Sequence, residues 1–189
     1  TDNNNIPFLR YLAKKGRPLI VSTAMATMQE VEAVVATLRQ EQLEKFVILQ
    51  CTGNYPSKLE DSHLRVIQTY QSHFKCLVGY SDHTQDLINP VAAIALGACV
   101  YEKHFTLDKN LPGPDHRMSL DPKELKATVI AIRQTELALG MSHKKVLPSE
   151  EENRLKLRKS LVSTIDIPVG TILKKGMIAI KRPGYGIAP

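Results

Sequence analysis

The stretch CLVGYSDHTQDLINPVAAIALGACVYEK, residues 76–103, decides the fold. It opens on an apolar run, Cys76–Tyr80, and closes on another, Cys99–Lys103. Short runs that are nearly continuous in apolar residues are the pattern of strands buried on both faces of a parallel sheet. Between them, Asn89-Pro90 opens a small-residue helix, VAAIALG, that Gly97 closes. The whole reads as strand, helix, parallel strand.

The same unit repeats outward. Pro18–Ser22 (PLIVS) and Phe46–Cys51 (FVILQC) are two further strand-like runs. Thr27 with Glu30 three residues later predicts a capping box, and Val31, Val34, Val35 and Leu38 follow on one helical stripe. A helix is expected over Leu64–Tyr70, starting near Glu60. Downstream, Asp121-Pro122 with Glu124 predicts another helix start, Leu125, Val129, Ile132 and Leu139 form its stripe, and Gly140 its stop. Four βα units imply a parallel α/β architecture, an open sheet or half of an eight-stranded barrel. No G-x-G-x-x-G follows the first run, which disfavours a dinucleotide-binding sheet. Composition changes after Gly140. Residues 141–158 read as a charged linker in which Ser149 and Glu152 cap a short helix, and residues 159–189 as the start of a small all-β module.

Composition narrows the function. A net charge of +6 suits an anionic substrate such as a phosphate ester. Nucleic acid is disfavoured, because charges alternate in sign, Trp is absent and no basic-aromatic motif occurs. No apolar run is long enough for a membrane span, and the N-terminus lacks the regions of a signal peptide. Cys51, Cys76 and Cys99 lie far apart with no C-x-x-C pair, and read as buried free thiols in a reducing cytosol.

Each strand-like run ends in polar residues: Ser22–Met25, Cys51–Pro56, Gly79–Thr84 and Glu102–Phe105. In parallel βα repeats these ends share one face, where barrel active sites are built. His83 and His104 follow consecutive strands about 4.8 Å apart, so their imidazoles can share a metal ion or can each be hydrogen bonded at a loop entrance. A pair would leave positions for water and substrate, as a catalytic metal requires. Ser81-Asp82-His83 is not a catalytic triad, whose members meet from separate chain positions. Lys103 points away from the side that Glu102 and His104 face, which excludes it as a Schiff-base lysine. His63, His73 and His143 read as solvated, and His116 is left open. Leu111–His116 is a rigid loop near the fourth strand end, either turn chemistry or a seat for Asp115 to contact substrate hydroxyls.

GYSDHT (79–84), EKHFTLDKNLPGPDH (102–116), PSEEENR (148–154) and IKRPGYGI (180–187) together resemble the sialic acid synthase (N-acetylneuraminate synthase) family, from about Asn5 onward. The resemblance implies strands five to eight of a TIM (β/α)8 barrel, followed by a linker and the start of a β-clip, antifreeze-like (SAF) domain. It implies condensation of phosphoenolpyruvate with N-acetylmannosamine or its 6-phosphate, in a cytoplasmic, domain-swapped homodimer. His83 and His104 match the ligands of a divalent metal, Mn²⁺ or Mg²⁺. Ser22 and Ser81 match phosphoenolpyruvate-binding positions, Tyr55 and Glu102 contacts to the amino sugar, and Glu102 a catalytic proton-transfer group. Asp115 matches a sugar-hydroxyl contact, and Arg182 an arginine that reaches the acetamido group from the other subunit. Two departures bear on substrate: Ala24 stands where many members have Gly, and Gly53 where some have Asn. The alternatives are a legionaminate, pseudaminate or spore-coat polysaccharide synthase, or a non-enzymatic carbohydrate-binding module. With half a barrel the isolated segment is expected to be inactive.

Overall fold

The computed structural model describes residues 2–182 and 184–189, and divides into two compact units, residues 1–140 and 141–189. Pro183, within the motif at 180–187, lies outside the described residues.

In the first unit, strands β1 (Leu19–Ser22), β2 (Phe46–Cys51), β3 (Leu77–Asp82) and β4 (Tyr101–Lys103) form one parallel sheet in chain order. Helices α1 (Ile6–Ala13), α2 (Met28–Gln40), α3 (Val66–Phe74), α4 (Ile88–Ala95) and α5 (Pro122–Leu139) alternate with them. The register sets the faces. Val21 pairs with Ile48 and Ile48 with Val78, and all three are buried in the core beneath the helices. Val31, Val34, Val35 and Leu38 of α2, with Ile67, Tyr70 and Phe74 of α3, complete that core. Side chains alternate across a strand, so Ser22, Leu49, Cys51, Gly79, Ser81 and Glu102 lie on the other face. Near the starts of the strands that inner face is open: Ile20 is 57% and Leu77 61% exposed. Gly79 is required where β3 passes its neighbours, since a Cβ there would lie 2.5 Å from Leu49 Cδ2 and 2.6 Å from the Val100 carbonyl oxygen.

The expected capping boxes form. Thr27 Oγ1 accepts from the Glu30 N–H, and Glu30 Oε2 accepts from the Thr27 N–H at 2.7 Å. That backbone donor, and then the Thr27 hydroxyl, hold the Glu30 carboxyl below its ordinary value of 4.5. A depressed carboxylate contributes stability above its unfolded value and loses it as pH falls through the folded one. Thr27→Ala is expected to lower unfolding stability by about 1 kcal/mol, measured by denaturant titration at neutral pH. Asp121 and Glu124 make the same box at α5.

Some expectations are corrected. Helix α3 begins at Val66, later than expected, because His63 takes a left-handed turn (φ 44°) after a short 3₁₀ segment at Leu59–Asp61. Of the cysteines only Cys51 is buried; Cys76 is partly covered and Cys99 exposed, since β4 itself starts two residues later. Helix α1 was not anticipated, although Asn5 Oδ1 caps it by accepting from Phe8 N–H and Pro7 stands in its first turn.

The second unit contains α6 (Pro148–Leu157) and an antiparallel pair, β5 (Ser160–Ser163) with β6 (Ile178–Lys181). Helix α6 starts two residues before the expected Ser149–Glu152 box: Leu147 is its N-cap, Pro148 occupies the first turn and Glu150 Oε2 accepts from the Leu147 N–H at 2.9 Å.

Candidate functional site

The C-terminal ends of β2, β3 and β4 bring four side chains into one cluster. His83 follows β3, His104 follows β4, and their ring centroids are 5.3 Å apart. Tyr55, in the loop after β2, has its ring 4.2 Å from that of His83 and 5.7 Å from that of His104. Asp115, in the loop before α5, places Oδ2 3.7 Å from His104 Nδ1.

His83 is 6% exposed and its tautomer is fixed by backbone. Nδ1 lies 2.8 Å from the Thr52 carbonyl oxygen, an acceptor only, so Nδ1 carries a proton and, in the neutral ring, Nε2 is the nitrogen with the lone pair. Cys51 Sγ sits 3.7 Å from the same Nδ1. A histidine whose second nitrogen is held by a carbonyl or carboxylate is suited to ligating a metal through the other. His104 has its carboxylate neighbour, Asp115, on the corresponding nitrogen.

The two rings fit a shared ion by distance. With metal–nitrogen bonds of about 2.1 Å, two imidazoles in adjacent coordination positions put their centroids roughly 4.5–5.3 Å apart. Among the described residues no group of three or more His, Cys, Asp or Glu side chains could hold a metal, so the pair would supply two bonds and leave the remainder to water or substrate oxygens.

Beside the histidines, Ser81 of β3 and Glu102 of β4 are register partners on the inner face, and the Ser81 hydroxyl donates to Glu102 Oε1 at 2.7 Å. Ser81 is buried and Glu102 exposed, so the carboxylate stands at the open side of the cluster. The Tyr55 phenol is pushed up from its ordinary value by partial burial and then by the charges of Cys51, Asp115 and Glu102.

Ser22 ends β1, two strands from β3, and is partly buried; its carbonyl oxygen accepts from Asn3 Nδ2 at 3.4 Å. Arg182, exposed, follows β6 in the second unit. His116 Nδ1 pairs with the Thr106 hydroxyl at 2.7 Å and holds the loop that carries Asp115. His63, His73 and His143 are exposed, and His73 Nε2 lies 2.9 Å from Glu32 Oε1.

Three contributors escaped the sequence reading. The Thr52 carbonyl is a backbone atom with no residue-type signature. Cys51 stands at a strand end in the sequence, with nothing to mark it as a neighbour of His83. Asp82 and Lys103 form a buried ion pair at 3.5 Å on the helix side of the sheet. The alternation that excluded Lys103 as a Schiff base also placed it on the same side as Asp82, which was the available signal.

Known proteins share this framework. N,N'-diacetyllegionaminic acid synthase of Legionella pneumophila is 42% identical over 189 residues, covering 98% of this chain and 53% of that protein. N-acetylneuraminate-9-phosphate synthase of Homo sapiens is 45% identical, covering 95% of this chain and 50% of that protein. The crystal structure of spore coat polysaccharide biosynthesis protein spsE from Bacillus subtilis superposes with a TM-score of 0.70 at 37% identity, covering 99% of this chain and 56% of that one. The chain thus spans about half the length of the curated relatives it matches. The NeuB family pattern matches residues 1–144, and with these relatives it shows that the chain belongs to the NeuB family.

Proposed function

We propose that this chain carries the metal and sugar-aldehyde half of a nonulosonate synthase site, in a protein that condenses phosphoenolpyruvate with an N-acetylhexosamine. The observation that carries the reading is the His83–His104 pair, 5.3 Å apart, with the His83 tautomer held by the Thr52 carbonyl. The names of the relatives point to nine-carbon acidic sugars, and N-acetylmannosamine or its 6-phosphate is the proposed acceptor.

In the proposed reaction, C3 of phosphoenolpyruvate forms a bond to the aldehyde carbon, whose oxygen takes a proton. Water adds to C2 and loses a proton; the C2–O bond to phosphate then breaks as the new C2 hydroxyl becomes the keto oxygen, and its proton leaves with the released phosphate. A divalent ion held by His83 and His104 would supply Lewis-acid polarisation of the aldehyde oxygen. Of the two candidates, Mn²⁺ accepts imidazole nitrogen more readily than Mg²⁺, which prefers oxygen. Glu102, exposed and hydrogen bonded by Ser81, is proposed to move the proton at the sugar. Tyr55 and Asp115 offer hydrogen bonds to sugar hydroxyls, and the hydroxyls of Ser22 and Ser81 are proposed to bind phosphoenolpyruvate.

The β5–β6 unit is proposed to begin an antifreeze-like domain that reaches the partner of a domain-swapped homodimer, where Arg182 contacts the acetamido group. The protein is proposed to act in the cytoplasm; among the described residues no helix is long and apolar enough to cross a membrane.

The test is phosphate release by the intact protein with phosphoenolpyruvate and a panel of N-acetylated hexosamines, with and without Mn²⁺. Release that needs both substrates and the metal is expected; release from no sugar of the panel would reject the reading. The isolated 189 residues are expected to give none, because they supply the ends of only four parallel strands, and a barrel site is built from the ends of eight.

A further inference from the structure

Behind the histidine cluster, on the helix side of the sheet, lies a closed polar network with a buried charge at its centre. Asp82 is fully buried, and the Lys103 side chain is 5% exposed. Asp82 Oδ1 accepts from the Thr84 N–H and from the Thr84 hydroxyl, both at 2.8 Å, while Oδ2 accepts from the Tyr101 hydroxyl at 2.7 Å and faces Lys103 Nζ at 3.5 Å. Lys103 Nζ also donates to the Thr84 carbonyl oxygen. Asn89 of α4 closes the ring: its side-chain Nδ2, with two N–H donors, lies 2.8 Å from the Ser62 hydroxyl, 3.1 Å from that of Tyr80 and 3.2 Å from that of Thr84.

A buried ion pair is weak evidence for stability, since its desolvation offsets most of the attraction, and fixing register is its best-attested use. Register is at stake here. Strand β4 has three residues, and Asp82 with Lys103 is the last of its three pairings with β3. The next residue on each strand is a cluster histidine, His83 after Asp82 and His104 after Lys103. A slip of one residue would turn Glu102 and His104 to the opposite face. The Asp82 carboxylate also folds the chain back onto Thr84, which fixes the peptide on both sides of His83.

We propose that the buried Asp82–Lys103 pair is a positioning device for the two histidines, locking β3 against β4 so that both rings meet one divalent cation. The inference rests on the reading of His83 and His104 as metal ligands. Neither Asp82 nor Lys103 touches the cation or the substrates; they act through the strand ends.

The experiment uses the intact protein and Mn²⁺ alone, titrated by electron paramagnetic resonance of the free ion, beside the melting temperature of the metal-free protein. The double variant Asp82→Asn with Lys103→Met removes both charges and leaves neither orphaned. It is expected to bind Mn²⁺ about ten-fold more weakly than wild type, the low end of the range for supporting groups around a metal. Its turnover is expected to recover at saturating Mn²⁺, whereas a merely structural role would lower turnover at every metal concentration with the same half-saturation. Tyr101→Phe keeps both charges and removes one hydrogen bond to Asp82, and is expected to weaken Mn²⁺ binding in the same direction by a smaller factor. Wild-type Mn²⁺ affinity in the double variant overturns the inference alone, and if that variant does not fold, wild-type affinity in Tyr101→Phe does the same. Failure of the wild-type protein to bind Mn²⁺ overturns the metal reading and this inference together.

Discussion

His83→Ala in the intact protein is expected to abolish metal-dependent turnover, with kcat/KM falling about 10³-fold. The magnitude follows from the chemistry being lost: Lewis-acid polarisation contributes several kcal/mol to transition-state charge stabilisation, and each 1.36 kcal/mol is a factor of ten. The substitution also removes a buried ring whose Nδ1 satisfies the Thr52 carbonyl, so some stability is lost with it. Steady-state phosphate release at several Mn²⁺ concentrations separates the two effects. A ligand loss leaves little activity at any attainable metal concentration while the melting curve stays cooperative. Undiminished turnover would refute the assignment of His83.

Glu102→Gln carries the second large expectation. Glutamine keeps the volume and an oxygen that the Ser81 hydroxyl can donate to, so the Ser81–Glu102 rung between β3 and β4 stays intact. What it lacks is a carboxylate able to take and return a proton. A general acid–base group contributes typically 10²- to 10⁴-fold, so kcat is expected to fall by about 10² or more with Mn²⁺ affinity unchanged. Rapid-quench measurement of product formed in the first turnover checks this, because it reports the chemical step apart from product release. An unchanged rate there would confine Glu102 to sugar binding.

The parts of the fold that could be read from residues are those governed by local rules. The runs at Phe46–Cys51 and Cys76–Tyr80 are nearly continuous in apolar residues, the pattern of strands in a parallel sheet with helices packed on it. Thr27 with Glu30, and Asp121 with Glu124, mark helix starts because one side chain satisfies backbone donors that a helix leaves free. The site followed from topology: polar residues at the ends of parallel strands share a face, so His83 and His104 had to be neighbours once their strands were.

The rest depended on contacts that sequence does not encode locally. His63 adopts a left-handed conformation with no glycine to announce it, and α3 therefore begins later than its apolar stripe suggests. The Thr52 carbonyl that sets the His83 tautomer could belong to any residue. Alternation shows which face Lys103 occupies, but only the β3–β4 register pairs it with Asp82. The choice between Leu147 and Ser149 as the start of α6 turned on a single proline, because Pro148 is favoured in the first turn where its missing N–H has no partner to lose.

The claim that His83 and His104 hold one cation is tested most directly by anomalous diffraction from crystals of the intact protein grown with Mn²⁺. The account predicts a single strong peak bonded to Nε2 of both histidines, with His83 Nδ1 still on the Thr52 carbonyl. A peak bonded to only one of the rings, or to neither, would contradict it.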